Sequence, residues 1–395
     1  MIGILQGLAF VITYSLFGLL AGRLVDRSNR RNLLVVCIGI WSLATACSGL
    51  AQSGGELFVA RMFVGLGEAA LMPAAVSLIS DSVPESRRSF ALGTFLTGTH
   101  LGIGMSLMIV GALLPPLTAM SSVLATQGHV VEPWRMVMML MLVPGFVCCC
   151  LLLMIREPER RVARNPNEKK GDMPSEWSSR IAIYLPHNLA VSCTGLCLFA
   201  ASGWFPSVLI REFGTEPRTA GLTYGGVIAA TGVFSAIVAG HVADRRMAHV
   251  GTSGQILIGI VAAPIGAIAF AIIAIRPAFG LLLCAGAIVN LTLVATWVIG
   301  LMSLSTLAPA LSRGKLTAIL LLFNGAIGQG LGPALIGVIS DNLRSQGVPL
   351  SQILGVVGCV AAILASLFYA LSRSALIREG KLSALVPIFA QERTI

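Results

Sequence analysis

Charge is what this sequence has least of. Asp, Glu, Lys and Arg make up 11% of its 395 residues, against about 25% in an ordinary soluble domain. That deficit excludes a soluble enzyme. With 56% apolar residues and a mean hydropathy of +0.87, it excludes a disordered chain as well. Catalytic signatures are missing: there is no H-E-x-x-H, no G-x-S-x-G and no Walker loop, so no enzyme activity or cofactor is expected and ATP-driven transport is disfavoured. The nine cysteines all fall within expected helices, which argues against a disulfide framework or a metal site and for small packing residues. No secretory signal stands apart at the N-terminus, where Met1 leads directly into an apolar run.

What the sequence does have is long charge-free runs. About 20 apolar residues cross a bilayer core of about 30 Å, and a spanning segment must satisfy its backbone internally, as a helix does. The runs predict eleven transmembrane helices at 4–22, 33–51, 56–80, 89–114, 134–155, 181–210, 219–243, 252–275, 278–306, 316–340 and 352–372. Alternate loops and the C-terminal tail hold 21 of the 27 basic residues; five lie on the other side and Arg61 lies within a span. This bias predicts a multi-pass protein with its tail in the cytoplasm. The net charge of +10 then reflects topology and contact with anionic lipid, not nucleic acid.

An internal repeat follows. Gly22, Asp26 and Arg27 match Gly240, Asp244 and Arg245 at a single offset, and Pro84–Arg88 is echoed more loosely by Pro309–Arg313. Parallel halves of this kind are one transporter architecture. The expected division is an N-terminal bundle at 1–155, a charged linker at 156–180, a C-terminal bundle at 181–372 and a tail at 373–395.

The loop Gly22-x-Leu24-x-Asp26-Arg27-x-x-Arg30-Arg31 resembles the signature loop of the major facilitator superfamily. Arg61-x3-Gly65-x-Gly67-Glu68-Ala69 looks like that family's fourth helix. Together with Trp134-Arg135 and Arg156-Glu157-Pro158 it is similar to the bacterial spinster-like branch. The resemblance implies an all-α polytopic fold of two pseudo-symmetric bundles, normally twelve helices, usually working as a monomer in the inner membrane. Here the signature loop follows the first span, so the eleven spans correspond to family helices 2–12, and part of the expected cavity wall is not in this chain. The resemblance also implies that Gly22, Asp26, Arg27, Arg30 and Arg31 latch the two halves on the cytoplasmic side, the carboxylate facing a helix N-terminus. Asp244, Arg245 and Arg246 form a shorter copy.

Two charges lie inside a span away from its ends, Arg61 and Glu68. Such residues cost about 2.5–3.5 kcal/mol on insertion scales and mark function. Seven residues apart, they share a helix face about 10 Å along its axis. Glu68 is the expected coupling-proton site, and Arg61 its modulator or a contact for an anionic solute; the plain structural reading is a salt-bridge partner for a neighbouring helix. Tyr14, His100, Asn188, Asn290 and Asn324 are further cavity candidates, with His187, Tyr224, Trp297 and Gln329 behind them. The small-residue pairs Gly98/Gly102 and Gly328/Gly332 are expected to bring helices close, and Pro73, Pro144, Pro264 and Pro333 to kink theirs. The function these readings favour is proton-coupled secondary transport of an amphipathic, lysolipid-like solute by alternating access. Drug or metabolite efflux, small-carboxylate uptake and a non-transporting receptor or scaffold are the alternatives.

Overall fold

The protein's structure, a computed structural model, is described for residues 2–127, 130–159, 177–308 and 313–391. Among them every regular element is helical. The first half contains α1 (Ile2–Arg27), α2 (Arg30–Leu50), α3 (Gly54–Glu68), α4 (Leu71–Ser82), α5 (Glu85–Thr126), α6 (Pro133–Leu140) and α7 (Leu142–Met154). The second contains α8 (Ile181–Phe213), α9 (Pro217–Val250), α10 (Thr252–Ala274), α11 (Phe279–Leu307), α12 (Arg313–Phe323), a π-helical segment (Asn324–Leu331), α13 (Gly332–Leu343) and α14 (Leu350–Gln391). Ten helical stretches are long and apolar enough to cross a membrane. The eleventh expected span lies in α1, whose described apolar stretch is the shorter Ala9–Gly18. Most of the expected 156–180 linker and the 309–312 echo lie outside the described residues.

Proline explains the breaks. A proline ring clashes with the carbonyl four residues earlier and removes a donor. Pro73 therefore breaks one span at Ala69-Ala70, between α3 and α4; Pro144 breaks another at Met141, between α6 and α7. Pro333 follows directly on the π segment, whereas Pro264 sits inside an unbroken α10. Two boundaries differ most from expectation: α14 does not end near 372 but runs on to Gln391, into the expected tail, and α5 does not end near 114 but runs through Pro115 and Pro116 to Thr126. Both prolines are exposed.

Helix ends are secured by side chains. Asn29 accepts from the Asn32 N–H (2.9 Å) and Ser53 from the Glu56 N–H (3.2 Å), as N-caps do. Arg135 donates to the carbonyls of Gly49 (3.2 Å) and Ala51, closing the C-terminus of α2. Glu212, ending α8, accepts from the N–H (2.8 Å) and hydroxyl (2.6 Å) of Ser351 at the start of α14. Trp204 donates its indole N–H to Pro333 O at 3.0 Å and joins α8 to α13.

The main core lies in the second half, where Phe205 stacks on Tyr224 with ring centroids 4.2 Å apart and Phe270, Leu282 and Leu293 are fully buried. The first half has only small buried clusters, such as Val25, Leu34, Ala74 and Leu78. The halves meet along two seams: α5 packs chiefly on α9, and α1 packs on the π segment and α13. On the first seam, a Cβ on Gly104 would come within 2.5 Å of Gly225 O, and one on Gly225 within 2.6 Å of Gly104 O; Gly111 faces Gly221 in the same way. These glycines, rather than Gly98 and Gly102, make the close approach: a Cβ on Gly98 or Gly102 would meet open space.

Candidate functional site

The site is built where α3 crosses α1. Gly65 packs so tightly on α1 that a Cβ there would run into Phe10 O and Thr13 Oγ1, and the Thr13 hydroxyl donates to Met62 O at 2.6 Å. One turn on, α3 ends at Glu68. Glu68 is half-buried at the break in the span, and Tyr14 of α1 stacks on Phe10 with ring centroids 5.3 Å apart. Arg61 is half-buried too. Its guanidinium reaches the Met138 sulfur on α6 at 3.4 Å, a weak acceptor. Among the described residues no ion pair joins Arg61 to Glu68, so the structure places the two on one helix as separate groups.

His100 of α5 crosses the seam between the halves. It is buried, and its Cβ packs where a Cβ on Gly232 of α9 would come within 2.8 Å. Asn290 of α11 lies beside it, 3.5 Å from that same position, and donates to Thr231 Oγ1 (2.7 Å) and Ile228 O (3.3 Å). Asn188 and Asn324 lie deeper in the second half. Both are buried, and neither Asn188 amide atom nor the Asn324 oxygen has a hydrogen-bond partner. His187 is fully buried with its Nε2 2.9 Å from Gly300 O, and Tyr224 belongs to the core stack. Gln329 and Trp297 are half-buried.

At the end of the molecule that carries the signature loop, the arginines of that loop separate. Arg30 is fully buried. It pairs with Asp81 at the end of α4 and with Glu157 (2.8 Å) beyond α7, and donates to Ser77 Oγ (3.0 Å) and Pro158 O (2.9 Å). Every one of these partners lies in the first half, so Arg30 binds α2, α4 and the exit of α7 to one another. Arg31 contributes its N–H to Glu157 (2.9 Å) and its guanidinium to Ile155 O (3.2 Å). Burial alone would push the Glu157 carboxyl up; the hydrogen bonds from Arg30 and the Arg31 N–H outweigh it and hold the group below the usual carboxylate range. Gly22 and Arg27 are exposed, as are Asp244, Arg245 and Arg246; the Asp26 side chain lies outside the described residues.

A second clasp was not visible in the sequence. Arg180, just ahead of α8, pairs with Glu379 of α14 (3.0 Å) and donates to Leu307 O (3.0 Å) at the end of α11. A buried or half-buried arginine at a helix entry needs a carboxylate; Asp81 and Glu379 were the signals available, both placed in or beside basic segments of the chain.

Among the described residues no group of His, Cys, Asp and Glu can hold a metal ion, and the nine cysteines are free thiols. A groove of about 640 Å3 runs between α2 and α3, lined by Leu43, Cys47, Val59 and Phe63 among others. These side chains are exposed and neither Arg61 nor Glu68 contributes, so this groove is a lipid-facing surface rather than the solute site.

Comparison with known proteins agrees with this architecture. The family model described as Major Facilitator Superfamily matches residues 1–333. An MFS-type efflux pump of Mycolicibacterium smegmatis is 24% identical over 363 residues, 87% of this chain and 77% of the pump. Protein spinster homolog 1 of Xenopus tropicalis is 26% identical over 372 residues, 86% of this chain and 66% of that protein. A crystal structure of a bacterial homolog of the human lysosomal transporter Spinster, inward-facing and unoccupied, superposes with a TM-score of 0.77 at 24% identity, covering 95% of this chain and 89% of that one.

Proposed function

The chain belongs to the major facilitator superfamily and is a multi-pass membrane transporter of a small-molecule solute, not an enzyme; on that premise we propose that it moves an amphipathic organic solute by proton-coupled alternating access. The observation that carries the coupling is Glu68. It is a half-buried carboxyl at the break between α3 and α4, without an ion-pair partner among the described residues. A carboxyl so placed exchanges its proton when the surrounding helices open or close, because hydration changes which form is favoured. Rocking of the halves along the glycine-lined α5–α9 seam supplies that opening. The mostly apolar surroundings, and relatives named for spinster and for efflux, support an amphipathic solute.

The test is uptake into liposomes. With Glu68→Gln, accumulation driven by a pH gradient is expected to fall to background while exchange of labelled solute across the membrane persists. Unchanged gradient-driven accumulation would dispose of the proton role. One observation favours a second reading: Arg61 is half-buried and its hydrogen-bond partner among the described residues is a thioether, so it suits a carboxylate, and relatives named as hexuronate and benzoate transporters agree in kind. Arg61→Gln then abolishes carboxylate transport; on the amphipathic reading it alters affinity for anionic solutes alone.

A further inference from the structure

The lipid-facing groove between α2 and α3 is apolar along its length and charged at one end. Leu43, Cys47, Leu50, Val59 and Phe63 line it, and all are exposed. On α2 it runs from Ile40 to Leu50, about 15 Å along the helix axis. That is half of a bilayer core of about 30 Å, the depth of one leaflet's acyl layer. Its volume of about 640 Å3 is in the range of sites that hold a small molecule.

At Leu50, the last residue of α2, the groove meets a second cavity of about 330 Å3, lined by Gln52, Glu132, Arg135 and Met139 among others; Leu50 lines both. Glu56 lines the groove near this junction. The charged end lies where the chain turns between spans: α2 stops here, α3 begins at Gly54 and α6 at Pro133. The exposed ring of Trp134 stands beside it, as tryptophans do at the head-group level of a bilayer.

The free valences of this end define a head group. Arg135 gives Nη1 to the carbonyls of Gly49 and Ala51, sets Nε 3.5 Å from Glu132 Oε2 and lies over the Trp134 ring, 4.7 Å from its centroid. Its Nη2 donates to nothing among the described residues, which leaves a guanidinium edge for a phosphate oxygen. Glu132 uses Oε2 for the Trp134 indole N–H (2.6 Å), and Glu56 uses Oε2 for the Gln52 N–H (2.7 Å); the Oε1 of each accepts nothing among the described residues. Two carboxylates against one guanidinium disfavour an anionic head group and suit a phosphate followed by an ammonium. A primary ammonium brings three N–H donors. A trimethylated one brings none and needs an aromatic face, and one face of Trp134 already carries Arg135. We propose that groove and cavity together bind a phospholipid with a primary-amine head group, its acyl chain between α2 and α3, its phosphate at Arg135 and its ammonium at Glu132. It is a resident lipid rather than the transported solute, so the proposal stands apart from the solute reading.

The experiment uses the full chain in dodecyl maltoside micelles with a trace of phosphatidylethanolamine that carries a photoactivatable diazirine in its acyl chain. Crosslinked peptides are located by mass spectrometry. Labelling is expected within residues 40–63. Unlabelled phosphatidylethanolamine is expected to compete about tenfold better than phosphatidylcholine or phosphatidylglycerol, the size of one hydrogen bond to a charged group. Glu132→Gln is expected to abolish this preference and Glu132→Asp to keep it. Val59→Trp, which fills the groove, is expected to remove labelling at 40–63 and leave other labelled segments unchanged. Both positions are exposed, so these variants are expected to melt with the wild type. Equal competition by the three lipids makes the groove ordinary lipid-facing surface and overturns the proposal, as does an absence of labelling at 40–63. Stronger competition by phosphatidylcholine or phosphatidylglycerol, or a preference that survives Glu132→Gln, overturns the head-group assignment.

Discussion

Arg30 shows what a single residue does in this fold. It is fully buried, carries a permanent charge, and brings Asp81, Glu157, Ser77 and Pro158 to one point. Removing one partner of a buried pair costs about 3–5 kcal/mol, so Arg30→Ala is expected to lower the unfolding temperature sharply, far more than Arg27→Ala, whose side chain is exposed. Glu157 adds a pH dependence with a definite sign. Its folded pKa is depressed, so its contribution is present above the unfolded value of about 4.3 and disappears as pH falls through the lower folded value. Thermal unfolding of wild type and Glu157→Gln is expected to differ at pH 7 and to converge in acid. A constant difference across that window would mean that the pair is not what holds the exit of α7. The motif made Arg30 legible as a functional residue in the sequence. Its partners were not legible, because nothing in a one-dimensional pattern says that Asp81 and Glu157 arrive at the same place.

At the scale of helices, spans and breaks follow from elementary chemistry. Charge-free runs of bilayer length became helices, and the ring of Pro73 or Pro144 broke its span about one turn earlier, as the clash with the carbonyl four residues back requires. Two features resisted such reading. The pair Pro115-Pro116 looks like a stop, yet α5 continues through both to Thr126. The π segment at Asn324–Leu331 depends on Gly328 meeting Gly195 and on Gly332 meeting Leu196, contacts between distant parts of the chain. Glycine counts alone also misdirect: Gly98 and Gly102 have the spacing of a packing motif, but Gly104 and Gly111 make the contact. Gly104→Val and Gly225→Val are therefore expected to cost about 1–3 kcal/mol each through overpacking and to stop transport, whereas Gly98→Ala and Gly102→Ala leave both unchanged. Melting temperature and uptake measured side by side check this. Tolerance of Gly104→Val would show that the α5–α9 seam is not a close-packed sliding surface.

At the scale of the whole molecule, the two halves differ in what holds them. The second has a continuous aromatic and aliphatic core; the first has small clusters, and α5 leans on the opposite half more than on its own. Hydropathy and charge bias made the all-helical, membrane-spanning class legible, and the repeat pointed to paired halves. The seams between the halves were not legible, since each rests on backbone approach rather than on side-chain pattern. Contact between the halves runs chiefly through α5–α9 and through α1 with the π segment and α13, and the proposed rocking uses these seams while Arg30 and Arg180 clasp the ends of the two halves separately. The measurement that tests this most directly is the distance between spin labels in lipid nanodiscs, one pair at Glu159 and His249 on the side of the signature loop and one at Val130 and Ile275 on the opposite side, all exposed positions. Alternating access predicts that changing pH or adding a transported solute shifts the two distance distributions in opposite directions. Two distributions that stay fixed under every condition would contradict it and leave a membrane protein that binds without transporting.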